Sequence, residues 1–137
     1  MAQNPADDGM LHTLAEQIAV EFTRRGATLV TAESCSGGWI AKTLTDIAGS
    51  SAWFECGVVA YSYEAKEALL GVRPETLEEH GAVSRETAIE MVSGALARYG
   101  ATVAVAVTTA SVVNGPLICS VALPLTPMLP RSQVKVS

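Results

Sequence analysis

The chain has 137 residues, 49% of them hydrophobic, enough to bury the core of one domain and too few for two ordinary ones. Its formal charge of −5 excludes a broad surface for a phosphate backbone, which draws on clustered Lys and Arg. Three cysteines, Cys35, Cys56 and Cys119, with no C-x-x-C pair, support neither a disulfide framework nor a zinc site, and no apolar run reaches the roughly 18 residues of a membrane span.

The first ten residues contain "NPADD" and lack the basic and apolar regions of a secretory signal, so the sequence predicts a disordered start and a cytoplasmic location. Leu11, Leu14, Ala15, Ile18, Ala19 and Phe22 recur at helical spacing, predicting an amphipathic helix that ends at Gly26. "ATLVTAE" then reads as a strand, and "SGGWIAKTLTDI" regains the helical period through Trp39, Ile40, Thr43, Leu44 and Ile47. "CGVVAYS" is a second strand and "YEAKEALLGV" a short helix or turn. "SRETAIEMVSGALARYG" is a helix capped by Ser84 and stopped by Gly100, and "ATVAVAVT" is a third strand. "LICSVAL" fits one more strand, whereas the segment from Pro124 reads as an irregular tail, because Pro124, Pro127 and Pro130 each lack a backbone donor. Continuously apolar strands between helices predict a three-layer α/β/α sandwich around a mostly buried sheet. The expected domain covers 11–123, between the disordered start at 1–10 and the tail at 124–137.

Two stretches carry polar groups that chemistry can use. In "ESCSGG", a strand runs through a glycine loop into a helix, which gathers free backbone N–H groups around one point and suits a phosphate or carboxylate. The loop matches neither the P-loop nor the dinucleotide pattern. Two readings stand side by side: an anion-binding loop, or Ser36 as a helix cap with Gly37 and Gly38 permitting close packing. Glu33, at the carboxyl end of a buried strand, lies where open α/β sheets bind ligands. The second stretch is "GSSAWFECGVVAYSYEAK". A serine nucleophile needs a base, and the two histidines, His12 and His80, fall on the polar side of a helix and before a turn. Lys66 can serve instead if burial depresses its pKa; otherwise it is a solvated helix lysine. Tyr61 and Lys66 are five positions apart, so they do not form the Y-x-x-x-K pair of short-chain dehydrogenases.

"TAESCSGGWIAKTLTDIAGSSAWFECGVVAYSYEAKEALLGV" followed by "LEEHGAVSRETAIEMVSGAL" resembles the C-terminal domain family of the competence and damage-inducible protein CinA, from about Leu11 to Thr108. Stand-alone members of that family are nicotinamide-nucleotide amidohydrolases. The resemblance implies hydrolysis of the carboxamide of nicotinamide mononucleotide to nicotinate mononucleotide and ammonia, with no metal and no cofactor. It places the nucleophile on Ser51, the base on Lys66 and an assisting tyrosine on Tyr61, with Glu33, Ser34, Ser36, Gly37 and Gly38 forming the ligand pocket. The implied partner is a small nucleotide; further copies of the chain are expected to cover the apolar surface left by the missing end of the family domain, while the charge and the lack of a long apolar run predict no nucleic acid and no membrane. Two departures stand out. Tyr63 replaces the asparagine of the usual "YSNEAK", and "TTASVVNGPLICSVALPLTP" stands where the family has a glycine-rich "TGIAGPxGG" loop. Because that loop lines the family's substrate site, its absence implies an alternative: a catalytically inactive member that binds a nucleotide or a partner subunit.

Overall fold

The computed structural model describes residues 8–109, 117–124 and 134–136, with side chains described through Thr108. In chain order it forms α1 (Asp8–Arg25), β1 (Leu29–Glu33), α2 (Trp39–Thr45), a single 3₁₀ turn (Ser50–Ala52), β2 (Phe54–Val59) and α3 (Tyr63–Leu70). After these come α4 (Pro74–His80), α5 (Arg85–Tyr99), β3 (Val103–Thr109), β4 (Leu117–Pro124) and β5 (Val134–Val136). The strands make one sheet in the order β2-β1-β3-β4-β5. β1 lies parallel to both β2 and β3, whereas β4 runs antiparallel to β3 and β5 antiparallel to β4.

Side-chain alternation along the strands divides the interior in two. Leu29, Val103 and Val105 face α1 and α2, where they meet Ala15, Ile18, Phe22, Leu44 and Trp53. Val30, Ala32, Ala104 and Ala106 face the other way, onto Leu70, Val72, Leu77, Met91, Val92 and Ala95 from α3 to α5. With helices on both faces, this is the expected three-layer α/β/α sandwich, and the three parallel strands are those read from the sequence. The small alanines of β3 let α5 lie close to the sheet. Glycines serve the same end elsewhere: a β-carbon on Gly57 would come within 2.7 Å of the Ala41 β-carbon, so α2 can rest on β2 only because Gly57 has none.

The helix ends follow local chemistry. Ser62 caps α3 by accepting from Ala65 N at 3.0 Å. Ser84 caps α5 by accepting from Thr87 N at 3.1 Å, and Gly100, at φ 71°, closes that helix as expected. Three features differ from the expectation. α1 starts at Asp8, ahead of Leu11, with an acid in its first turn where the helix dipole favours one. α4 was not anticipated, although Pro74 at its first turn is a recognised start signal. The expected irregular tail contains the end of β4 at Pro124 and the whole of β5, while 125–133 lie outside the described residues.

Candidate active site

The parallel register brings the carboxyl ends of three strands level, with Glu33 opposite Val59 on one side and Val107 on the other. Open α/β sheets bind ligands at this end. Beyond Glu33 the chain stays tied to the sheet through Ser34 N, which donates to Val107 O at 3.2 Å. It then turns, with Gly37 N donating to Ser34 O at 3.1 Å. Gly37 at φ 62° and Gly38 at φ 96° hold left-handed conformations that favour glycine, and they turn the backbone into α2.

Alternation continues through this corner. Leu29 faces the α1/α2 layer, and Glu33, four residues on, sends its carboxylate the same way, accepting from Ile40 N at 2.8 Å and Ala41 N at 3.0 Å. Ser34 takes the opposite face, towards α3. There Lys66, 0% exposed, donates to Ser34 Oγ at 2.9 Å, to Ala60 O at 2.8 Å and to Tyr61 O at 2.6 Å. Those three partners use its full donor capacity. Among the described residues no carboxylate forms an ion pair with Lys66, and burial lowers its pKa from the usual lysine value, opposed by the neighbouring Cys35 thiol. A buried, uncompensated amine against a serine hydroxyl is the arrangement of a serine nucleophile with a lysine base.

The expected pairing of Ser51 with Lys66 is therefore corrected. Ser51 is exposed in the turn that precedes β2, whereas Lys66 lies past the strand's other end. Six strand residues at about 3.3 Å each separate the two, far beyond hydrogen-bond reach. Ser34, expected in the ligand pocket, occupies the position that had been given to Ser51. Strand alternation held the signal for this, because it sends Glu33 and Ser34 to opposite faces and Ser34 to the α3 side. Tyr61 meets Lys66 through its backbone carbonyl, and the residue is 70% exposed. Glu33, expected in the ligand pocket, turns its carboxylate to two amides at the start of α2. The reading of Ser36 as a cap is not met, since Gly38 holds the cap position and, among the described residues, the buried Ser36 Oγ has no partner. Among the described residues nothing accepts from the N–H groups of Cys35 and Ser36.

Other polar groups stand apart from this corner. His12 lies 3.5 Å from Glu16 and His80 lies 3.8 Å from Glu86. An apolar cleft of about 330 Å³ between α1 and α2 is lined by Leu14, Ile18, Trp39 and Leu44 and reaches Ser36, but neither Ser34 nor Lys66 lines it. Among the described residues no cluster of His, Cys, Asp or Glu could hold a metal ion, and no helix is long and apolar enough to cross a membrane.

Fold and corner together define an α/β protein with a buried serine–lysine pair at the carboxyl edge of a parallel sheet. The model of the CinA C-terminal domain matches residues 11–116, and the chain belongs to that family. It is 55% identical over 101 residues to the nicotinamide-nucleotide amidohydrolase PncC of Escherichia coli strain K12, an alignment covering 74% of this chain and 61% of that protein. A PncC from Enterobacter agglomerans is 52% identical over 98 residues, covering 72% of this chain and 60% of the relative. The chain thus spans about three fifths of the length of these curated relatives. Among solved structures, the competence/damage inducible protein CihA from Agrobacterium tumefaciens superposes with a TM-score of 0.77 at 40% identity, covering 100% of this chain and 82% of that one.

Proposed function

We propose that the chain hydrolyses the carboxamide of nicotinamide mononucleotide to nicotinate mononucleotide and ammonia, with Ser34 as nucleophile and Lys66 as base. The observation that carries this reading is the 2.9 Å contact between Lys66 Nζ and Ser34 Oγ, in a site where, among the described residues, no carboxylate pairs with the amine. The names of the relatives supply the substrate. In the neutral amine, the two N–H bonds point at the carbonyls of Ala60 and Tyr61, which only accept, and the lone pair is left facing the Ser34 hydroxyl. Lys66 takes that proton as Oγ attacks the carboxamide carbon. The N–H groups of Cys35 and Ser36, the two residues after the nucleophile, which have no acceptor among the described residues, meet the developing oxyanion, a contribution of about 3 kcal/mol for each donor. The Lys66 ammonium then returns its proton to the departing nitrogen, the C–N bond breaks and ammonia leaves an ester on Ser34. Water, deprotonated by Lys66, cleaves that ester and releases nicotinate mononucleotide.

The test is ammonia release from nicotinamide mononucleotide by the purified chain and three variants. Ser34→Ala and Lys66→Ala should each lower kcat by about 10³-fold or more, and the double variant should lose little beyond that, because the pair acts as a unit. Ser51→Ala should keep the activity of the unchanged chain. Activity retained by Ser34→Ala would sink the dyad, and an unchanged chain that binds the nucleotide without turnover would establish the alternative of an inactive member. The same reading carries a homo-oligomer, since apolar and aromatic side chains stand exposed beside an open sheet edge.

A further inference from the structure

We infer that Glu33 is the positioning residue of the reaction: its carboxylate, wedged beneath the 34–41 corner, sets the distance between Ser34 Oγ and Lys66 Nζ without touching the substrate. The inference rests on the serine–lysine reading and asks what keeps that pair in register.

The corner has few anchors. Ser34 N is held by Val107 O, and two further bonds, Gly37 N to Ser34 O and Trp39 N to Ser36 O, lie within the corner and only tighten it. Two consecutive glycines at positive φ give the backbone extra freedom at the point where it must reverse. Among the described residues the buried Ser36 hydroxyl has no partner and ties nothing down. Among the described residues, the side chain that fastens the far end of the corner is Glu33, whose two oxygens accept from Ile40 N and Ala41 N. It is fully buried and it immediately precedes Ser34. The carboxylate therefore clamps the start of α2 back onto the last residue of β1, and Ser34 sits inside the clamped loop.

The side of the sheet matters as much as the clamp. A carboxylate beside Lys66 would favour the ammonium and remove the lone pair the mechanism needs. Alternation places Glu33 across β1 from Lys66, and backbone amides compensate its charge. A negative group can thus organise the nucleophile while, among the described residues, no carboxylate stands beside the base.

Glu33→Gln keeps the shape but only one acceptor, and its amide N–H groups face the second backbone donor. Glu33→Ala removes both acceptors. A displacement of about 1 Å at a reacting group costs about 10²-fold in rate, so Glu33→Gln should lower kcat about 100-fold and Glu33→Ala further. KM should stay within about threefold, since binding contacts are untouched, and the acid limb of the kcat profile should keep its midpoint. Hydrogen exchange at the Ile40 and Ala41 amides should quicken. Sulfonylation of Ser34 by a sulfonyl fluoride, followed by mass spectrometry, should slow in step with kcat, and it makes the same comparison without turnover. A raised KM with kcat intact would make Glu33 a substrate contact, and a displaced acid limb would make it an acid–base group. Either result overturns the positioning role, as would unchanged kcat and unchanged sulfonylation. A Glu33→Gln chain that fails to fold overturns it too, by making the carboxylate a requirement of the fold; if Glu33→Ala alone is unfolded, Glu33→Gln decides. Ser34→Ala run alongside separates the two readings: its survival sinks the dyad, whereas a dead Ser34→Ala beside a fully active Glu33→Gln sinks only the clamp.

Discussion

Lys66 gives up water on every side and gains a hydroxyl and two carbonyls, none of them charged. Burial lowers its pKa from 10.5, so neutral amine forms at lower pH than in a solvated lysine. The kcat profile should therefore rise with pH through a midpoint below 10.5, and a midpoint at or above that value would show Lys66 to be no base in this reaction. The same shift has a thermodynamic sign. At low pH both folded and unfolded chains carry the proton. Between the lowered folded pKa and the unfolded value, the unfolded chain binds more protons, so stability rises as pH rises through that window. Urea unfolding of the unchanged chain against Lys66→Met should show the gap between them shifting in favour of the unchanged chain as pH is raised from neutral towards 10.5. A constant gap would mean that the lysine titrates normally. At this scale the place of the buried lysine was legible and the serine beside it was not. Lys66 follows a strand end and a capped helix start, so its place at the sheet's carboxyl edge could be read. Ser51 drew the assignment through the resemblance of "GSSAWF", yet it precedes β2, and a residue before a parallel strand emerges at the wrong edge of the sheet. The two-residue period through Glu33 and Ser34 points instead to Ser34, on the α3 side of the sheet.

Among the elements, α3 and α5 make a close joint, and it supports the site because α3 carries Lys66. α5 has a glycine in its interior, Gly94, which costs helix stability relative to alanine by about 1 kcal/mol. The reason lies in α3: a β-carbon on Gly94 would overlap the carbonyl oxygen of Leu70, the last residue of that helix. Backbone cannot swing aside as the end of a flexible side chain can. Gly94→Ala should therefore lower stability by about 1–3 kcal/mol despite the better helix propensity, a fall of several degrees in Tm. It should also reduce kcat, because displacing α3 moves Lys66 from Ser34. A stabilised Gly94→Ala would show that the joint relaxes freely. From sequence alone Gly94 was invisible, since a glycine within "SRETAIEMVSGALARYG" does not announce which backbone approaches it. α5 itself, with Ser84 and Gly100 at its ends, could be read to within a residue. α4 was lost for a different reason: "PETLEEH" is short and mostly polar, and its apolar period is too brief to stand out against a turn.

At the scale of the whole molecule, sheet order decides which surfaces remain open. β2 is the edge strand, and among the described residues no strand pairs with its outer side. An unpaired edge presents N–H and C=O groups that another chain can extend. Val59 at the end of that strand is 45% exposed, and Tyr61 and Tyr63 just beyond it are 70% and 47% exposed. Three such side chains in five positions, beside an open edge, form the kind of surface that association covers. They also adjoin the serine–lysine corner, since the Tyr61 carbonyl is one of the three acceptors around Lys66. We expect light scattering to give a mass that is a multiple of 14.3 kDa. Tyr63→Asp, which sets a charge on that surface and also suits the first turn of α3, should shift the population towards single chains while leaving the melting transition of the domain in place. A monodisperse species of 14.3 kDa at high concentration would refute self-association, and an assembly indifferent to Tyr63→Asp would move the interface away from the β2 edge.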